Sequence, residues 1–424
     1  MKKNLLFVLA AALMMAACSK QEAIESAPAI PTVKTYMSNM RSYEEALRIA
    51  ENAIGMLEDS KSSTRSTENR RKIDLSENKV IMRDAKTRGE SGASDSLIYV
   101  FNFENNEGFA LVSASKNTEG LLAVTEQGQC DPEIPSGIGG FDMFVNMAKD
   151  YVLRGMESSG SFEEIKDTVF VLSTSKVGPF VSVKWGQDHT EGYCCDNQLS
   201  GCANTAMAQI MSYYGYPTSI RLTYKGNNVI NLDWNKIRNH KTKHDFENCS
   251  DTTTHISISS LLRELGNLNN SSYADGYTST QSLSIVQYTY DGLRYSCNEK
   301  WEDKYDGAYC RSELNNHHLI HVSAFEANTS LNGHDWVFDG YMTENCIVRT
   351  MYNTGNGWAY TGDSFPLNIY YNHYNWGWRG YNNGFFLEKI YQIKEDPYYD
   401  GKSQKDNSNY NLYDSVNMLS VHPR

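Results

Sequence analysis

The run Cys202–Tyr214, CANTAMAQIMSYY, constrains this chain more than any other segment. Ala203, Ala206/Met207, Ile210 and Tyr213/Tyr214 recur at helical spacing, and Gly215 with Pro217 ends the run. Small residues fill its first turns, so the helix can pack tightly as a central element with other layers built against it. Gly201 stands immediately before the cysteine, at the head of the helix.

A length of 424 residues predicts two to three domains. Hydrophobic residues make up 40%, enough for a full core, which rules out a wholly disordered chain. The balance of 39 basic against 51 acidic residues, with no basic block beyond Asn69-Arg70-Arg71-Lys72, excludes a nucleic-acid partner. The N-terminus sets the compartment. Met1-Lys2-Lys3 is a short basic start, and Leu5–Ala17 is an apolar run too short to span a bilayer as a stable helix. Cys18 after Ala16-Ala17, followed by polar residues, looks like a bacterial lipoprotein processing site, although Met15 stands where a small residue is usual. Residues 1–18 therefore read as a signal peptide with a lipid-bearing Cys18, or as a plain signal peptide, and 19–34 as a linker. Either way the body is expected outside the cytoplasm, as an outer-membrane or cell-surface lipoprotein or a secreted protein. Membrane contact would then come only through the lipid on Cys18.

The body divides in two. Residues 43–58 carry one apolar helical face, Ala46/Leu47, Ala50, Ala53/Ile54 and Leu57. Strand-like runs follow at Leu97–Phe103, Gly108–Ala114 and Leu121–Thr125, and Phe141–Leu153 is helical again. The expected domains are a small α+β module over 35–170 and a second domain over 171–424 that holds the chemistry. The stretch between Ser158 and Lys176, with Gly160, Ser161 and a Ser-Thr-Ser run, is expected to be an accessible connection.

Cys202 is the nucleophile candidate. A helix N-terminus favours the thiolate, and the preceding glycine lets another backbone approach. The alternative is a buried structural cysteine. His334, in the strand-like run Gly333–Tyr341, is the base candidate, though His317, His318, His321 and His373 lie in the same region. Asn375, in the run Asn375-Trp376-Gly377-Trp378, could fix the imidazole tautomer while Trp376 shields the bond from water. The same aromatic and glycine-rich text also suits sugar binding or packing. Gln187 could complete an oxyanion hole with the Cys202 N–H.

Taken together, the ordered segments WGQ, GCANTAMAQIM, GHDWVFDGY and NHYNWGWRGYNNGFF resemble the streptopain-like cysteine peptidases of bacteria. The resemblance covers the catalytic half and extends more weakly over 35–160, where YEEALRIAE and GFALVSASKNTEGLLAVTEQG look like that family's inhibitory propeptide. It implies an α+β chain with a papain-like two-lobed domain after a small α+β propeptide domain. It implies Cys202 as nucleophile, His334 as base, Gln187 as oxyanion donor, and Asn375 with Trp376 supporting the histidine. Ser279 and Gly333 fall where the family contacts substrate backbone. The interval of 132 residues from Cys202 to His334 suits such enzymes. The chain would be a zymogen that hydrolyses peptide bonds through a thioester, with protein or peptide substrates and its own propeptide as intramolecular inhibitor. The rival readings are a catalytically silent adhesin on the same fold and a thioester acyl transferase.

Four departures stand out. Asp335 follows the histidine where the family usually has a small residue, and either raises the imidazole pKa or points to solvent. Asn204 replaces a small residue in the first helical turn, Arg379 breaks a Gly-Gly pair, and the residues after Gln187 replace a proline-tyrosine turn. Adjacent Cys194 and Cys195 do not suit one tetrahedral metal ion, and no metal or other cofactor is expected. A disulfide from one of them to Cys249, Cys297, Cys310 or Cys346 is the expectation in an oxidising compartment.

Overall fold

The structure, a computed structural model, describes residues 40–58, 70–83, 96–157, 165–190, 199–274, 276–280, 283–300, 305–325, 333–354, 357–391 and 415–424. Cys18, Cys194 and Cys195 lie outside the described residues.

The N-terminal half forms as its patterning dictates. Helix α1 (Tyr43–Glu58) buries Ala46, Ala50, Ala53, Ile54 and Leu57, the face expected from the i, i+3, i+4 spacing. Glu45 and Ser42 exchange hydrogen bonds at its start as a capping box. Strands β1 (Lys79–Met82), β2 (Ser96–Asn102), β3 (Phe109–Ser113) and β4 (Leu121–Thr125) form an antiparallel meander. All five residues of β3 and all five of β4 are buried, so these strands are covered on both faces. Helix α2 (Gly139–Glu157) runs two residues before and four beyond the expected Phe141–Leu153.

Strand β5 (Ile165–Val177) occupies most of the stretch expected to be an open connection. It pairs antiparallel with a later strand from Ile165 through Val177, so those peptide bonds are engaged in a ladder. Residues 158–164 lie outside the described residues.

Helix α3 (Cys202–Tyr214) is the expected central element: every residue from Ala203 to Ser212 is buried. Each large apolar side chain so buried contributes about 1.5–3 kcal/mol. Gly215 ends the helix in the left-handed region at φ 67° and donates to Met211 O. A hairpin of β6 (Ser219–Leu222) and β7 (Asn228–Asn231) follows. Then come short helices α4 (Trp234–Ile237) and α5 (Lys243–Glu247), the long α6 (Thr252–Leu268), and the hairpin β8 (Ser272–Ala274) and β9 (Tyr277–Ser279). Helix α7 (Leu283–Gly292), β10 (Tyr295–Lys300) and α8 (Gly307–Asn315) lead to the central strands. These are β11 (Leu319–Phe325), β12 (Gly333–Asn353), β13 (Trp358–Asn375), β14 (Gly384–Leu387) and β15 (Ser415–Pro423).

One antiparallel sheet joins both halves in the order β1-β2-β3-β4-β14-β13-β12-β11-β15-β10. The junction is β4 on β14, with Thr125 opposite Gly384 and Ala123 opposite Phe386. β11 pairs with β12 up to Phe338, and β5 takes over the same edge from Tyr341 onward. α3 packs on β11 and β12, while α2 packs on β2 and β12. The fold class is α+β, as expected. Cys130, Cys249, Cys310 and Cys346 carry free thiols, so the disulfide expected from Cys194 or Cys195 does not reach Cys249, Cys310 or Cys346.

Candidate active site

Cys202 opens α3, and the backbone before it depends on glycine. Gly201 has φ 93°, which L side chains rarely adopt, and a Cβ there would lie 3.0 Å from Thr278 Cγ2. Thr278 belongs to β9 and donates to Leu199 O at 2.5 Å. The β8–β9 hairpin therefore lies over the head of α3, and Ser279, exposed, ends its second strand.

Gln187 is buried and fixed by its backbone: its N–H donates to Gly377 O at 3.2 Å, and its carbonyl accepts from Ser200 N at 2.7 Å and Ser200 Oγ at 2.9 Å. These bonds tie the segments that hold Gln187, Cys202 and Trp376 to one another. Asn375 is also buried and faces α3. Its Oδ1 accepts from Gln209 Nε2 at 3.1 Å and from Gly377 N at 3.2 Å, and its Nδ2 donates to Val183 O at 3.2 Å. Gln209 lies two helical turns after Cys202. That i+7 spacing could have marked it as sharing the cysteine's side of the helix.

His334 is buried in another environment. Its Nε2–H donates to Trp376 O at 2.9 Å, and its ring stacks 6.1 Å from Trp336. A Cβ on Gly140, in the first turn of α2, would come within 2.8 Å of His334 Cδ2 and 2.5 Å of Trp376 Cζ3. Helix α2 thus presses its bare backbone onto the histidine and the indole. Trp376 is fully buried, with its backbone N–H on Asn383 Oδ1 and its indole N–H on Asn382 O, both at 3.0 Å. Gly333 is exposed at the start of β12.

Among the described residues no hydrogen bond joins Cys202 to His334 or His334 to Asn375. The thiol instead meets Asp335, whose Oδ2 accepts at 3.8 Å from Cys202 Sγ. Asp335 Oδ1 accepts from Nε2 of His321, a fully buried residue on β11, at 3.2 Å. Asp335 does not point to solvent and makes no hydrogen bond to the imidazole beside it, but its charge does act to raise the His334 pKa, as expected. Sequence reasoning saw His321 only as a competing histidine. Its place opposite Val337, with Ser323 opposite Asp335, follows from a β11–β12 register that local sequence does not reveal.

The protonation states follow from these surroundings. Burial, and after it the charge of Asp335, pushes the Cys202 thiol up to about 12. Burial lowers the His334 pKa below its ordinary value, the bond to Trp376 and the charge of Asp335 offsetting only part. Burial alone would raise the Asp335 pKa, but the hydrogen bond and charge of His321 outweigh it and keep the carboxyl low. Cys202 is therefore a thiol, His334 is neutral, and the Asp335 carboxylate is charged. A candidate Cys–His pair in these states is not the reactive thiolate–imidazolium form.

Comparison with known proteins matches the chain in two stretches. Residues 184–386 match the Peptidase C10 family, and residues 35–152 match the Spi protease inhibitor. Streptopains of Streptococcus pyogenes are 23% identical over 336 residues, covering 69% of this chain and 74% of theirs. Among solved structures, a prointerpain A mutant fragment from Prevotella intermedia superposes with a TM-score of 0.48 at 15% identity, over 80% of this chain and 98% of that one. Active interpain A from the same organism gives 0.35 at 17% identity, over 57% and 94%. The match of residues 184–386 to the Peptidase C10 family and of 35–152 to the Spi protease inhibitor, together with the streptopain relatives, indicates a streptopain-like cysteine endopeptidase preceded by a Spi-type inhibitor domain.

Proposed function

We propose that this zymogen is exported, is anchored by lipid on Cys18, and hydrolyses peptide bonds through a thioester on Cys202. In the matured enzyme His334 takes the thiol proton, and the thiolate attacks the scissile carbonyl. The Cys202 N–H and the Gln187 side chain receive the oxyanion. The C–N bond breaks, the imidazolium protonates the leaving amine, and a thioester remains. His334 then deprotonates water, which attacks the acyl carbon and releases the thiol. Asn375 orients His334, Trp376 shields it, and Ser279 and Gly333 contact substrate backbone.

The observation that carries this reading is the head of α3: a cysteine on a buried, small-residue helix, entered through a glycine whose φ of 93° L side chains rarely adopt. Gln187 and Asn375 are tied to the same region through Ser200, Gly377 and Gln209. The contact of α2 with His334 and Trp376 supports latency of the uncut chain. The family match favours a peptidase over the silent adhesin. Product analysis with and without an added amine separates hydrolysis from acyl transfer.

Cys202→Ala tests the mechanism. Alanine suits the first turn of α3, so the variant should fold while peptide hydrolysis falls to background. Parental turnover in that variant would end the proposal.

A further inference from the structure

His334 and Asp335 are consecutive on β12, so their side chains leave opposite faces of the sheet. The contacts show which face each takes. Asp335 meets Cys202 of α3 and His321 of β11. His334 meets Trp376 O and the first turn of α2. Asn375, pinned by Gln209 of α3, lies on the face of Asp335 and Cys202. In this conformation the residue facing the nucleophile from β12 is a carboxylate, and the imidazole is on the wrong side.

We infer that Asp335, steadied by His321, is a lock on Cys202 within the peptidase domain, and that activation exchanges it for His334 by turning over the first residues of β12. This rests on the assignment of Cys202 as nucleophile. Three features support a built arrangement. His321 is fully buried, with Nε2 on Asp335 at 3.2 Å and Nδ1 3.2 Å from the Tyr290 hydroxyl, so the carboxylate is held at a fixed orientation. The residue before the histidine is an exposed glycine, which gives the strand start freedom to turn. And because side chains alternate with period two, a shift of one residue moves His334 to the face of Cys202 and Asn375 and removes Asp335 from it. The covering contact from Gly139 and Gly140 holds the latent arrangement until α2 departs. The thiol pKa, raised first by burial, is raised further by the carboxylate beside the sulfur.

The test is the rate at which iodoacetamide alkylates Cys202 at pH 8, read by peptide mass spectrometry on chains whose intact mass shows them uncut. Asp335→Asn should speed alkylation about tenfold or more, the effect of lowering the thiol pKa by about one unit. Asp335→Ser is the second variant should the amide perturb packing. Buried Cys130 and Cys310 serve as internal controls, since unfolding would expose them too. In matured enzyme, where Asp335 has left the thiol, the same variants should alter the rate by less than about twofold. Parental rates for both variants in the uncut chain, or equal acceleration in uncut and matured forms, would overturn the inference. Alkylation reads the thiol without turnover, so this outcome stays separate from failure of the proposed hydrolysis.

Discussion

Asn375 illustrates what a single residue in this site must do. Its side chain makes three hydrogen bonds, to Gln209 of α3, Gly377 and Val183, which fix it where the proposed mechanism needs an acceptor for the imidazole. Removing it leaves the nucleophile in place but frees the ring to turn. Asn375→Ala should therefore lower kcat of the matured enzyme by more than about tenfold, leave a residual rate, and change KM little. Gln187→Ala should cost about 100- to 1,000-fold in kcat, as loss of an oxyanion donor does. Steady-state kinetics on a peptide substrate separates these outcomes; unchanged kcat in Asn375→Ala would move the orienting role elsewhere. Asp339 and His373 do not offer themselves, because they pair with each other at 2.6 Å and Asp339 also accepts from Val181 N. At this scale the sequence displayed the residue types well. Cys202, Gln187 and Asn375 announce themselves through a helix start and glycine-rich surroundings. Which of His334 and Asp335 faces Cys202 was not legible, because it depends on pairing with β11, a contact between segments that local patterning does not encode.

Among the elements, α2 shows a boundary written in sequence and a docking site that is not. The periodicity of 141–153 marks a helix, but nothing in it says that Gly139 and Gly140 will lie against His334. The reason for glycine appears only in the packed structure, where any side chain at position 140 would occupy indole and imidazole space. Gly140→Val should therefore loosen the inhibitory contact and speed self-processing of the uncut chain by about tenfold or more. The measurement is the half-life of the intact mass at fixed concentration, and Gly140→Val combined with Cys202→Ala should remain uncut. A Gly140→Val chain that matures at the parental rate would show that the contact does not restrain activation. The long hairpin was equally hidden: only 333–341 looked strand-like, yet β12 continues to Asn353. Beyond Tyr341 it is paired on both edges by β5 and β13. β5 and much of β13 are exposed there, so no clean alternation of apolar and polar residues marks the strands.

For the whole molecule, burial of neutral histidines couples stability to acid. His189 is fully buried between Trp185 and Phe246, and burial lowers its pKa to about 3. His334 is lowered too. A histidine with a depressed folded-state pKa binds fewer protons folded than unfolded, so stability falls as pH drops below about 6.5. His373 acts in the opposite sense: although burial lowers its pKa, Asp339 outweighs that and raises it, so its contribution is present in acid and fades as pH rises through the folded value. Burial lowers His255 as well, and three lowered histidines against one raised predict a lower thermal midpoint for uncut Cys202→Ala chain at pH 4.5 than at pH 7. His189→Phe keeps an aromatic ring between Trp185 and Phe246, and should reduce that difference. A midpoint independent of pH, or an unchanged difference in His189→Phe, would contradict the burial argument.

The central claim is that Cys202 becomes the reactive nucleophile of the matured peptidase. Mass spectrometry after treatment with an active-site-directed thiol epoxide measures this most directly. The account predicts one adduct per matured chain, mapped to Cys202, with loss of hydrolysis in step with labelling and no adduct in Cys202→Ala. Labelling at another cysteine with loss of activity, or full hydrolysis by chains labelled at Cys202, would contradict it.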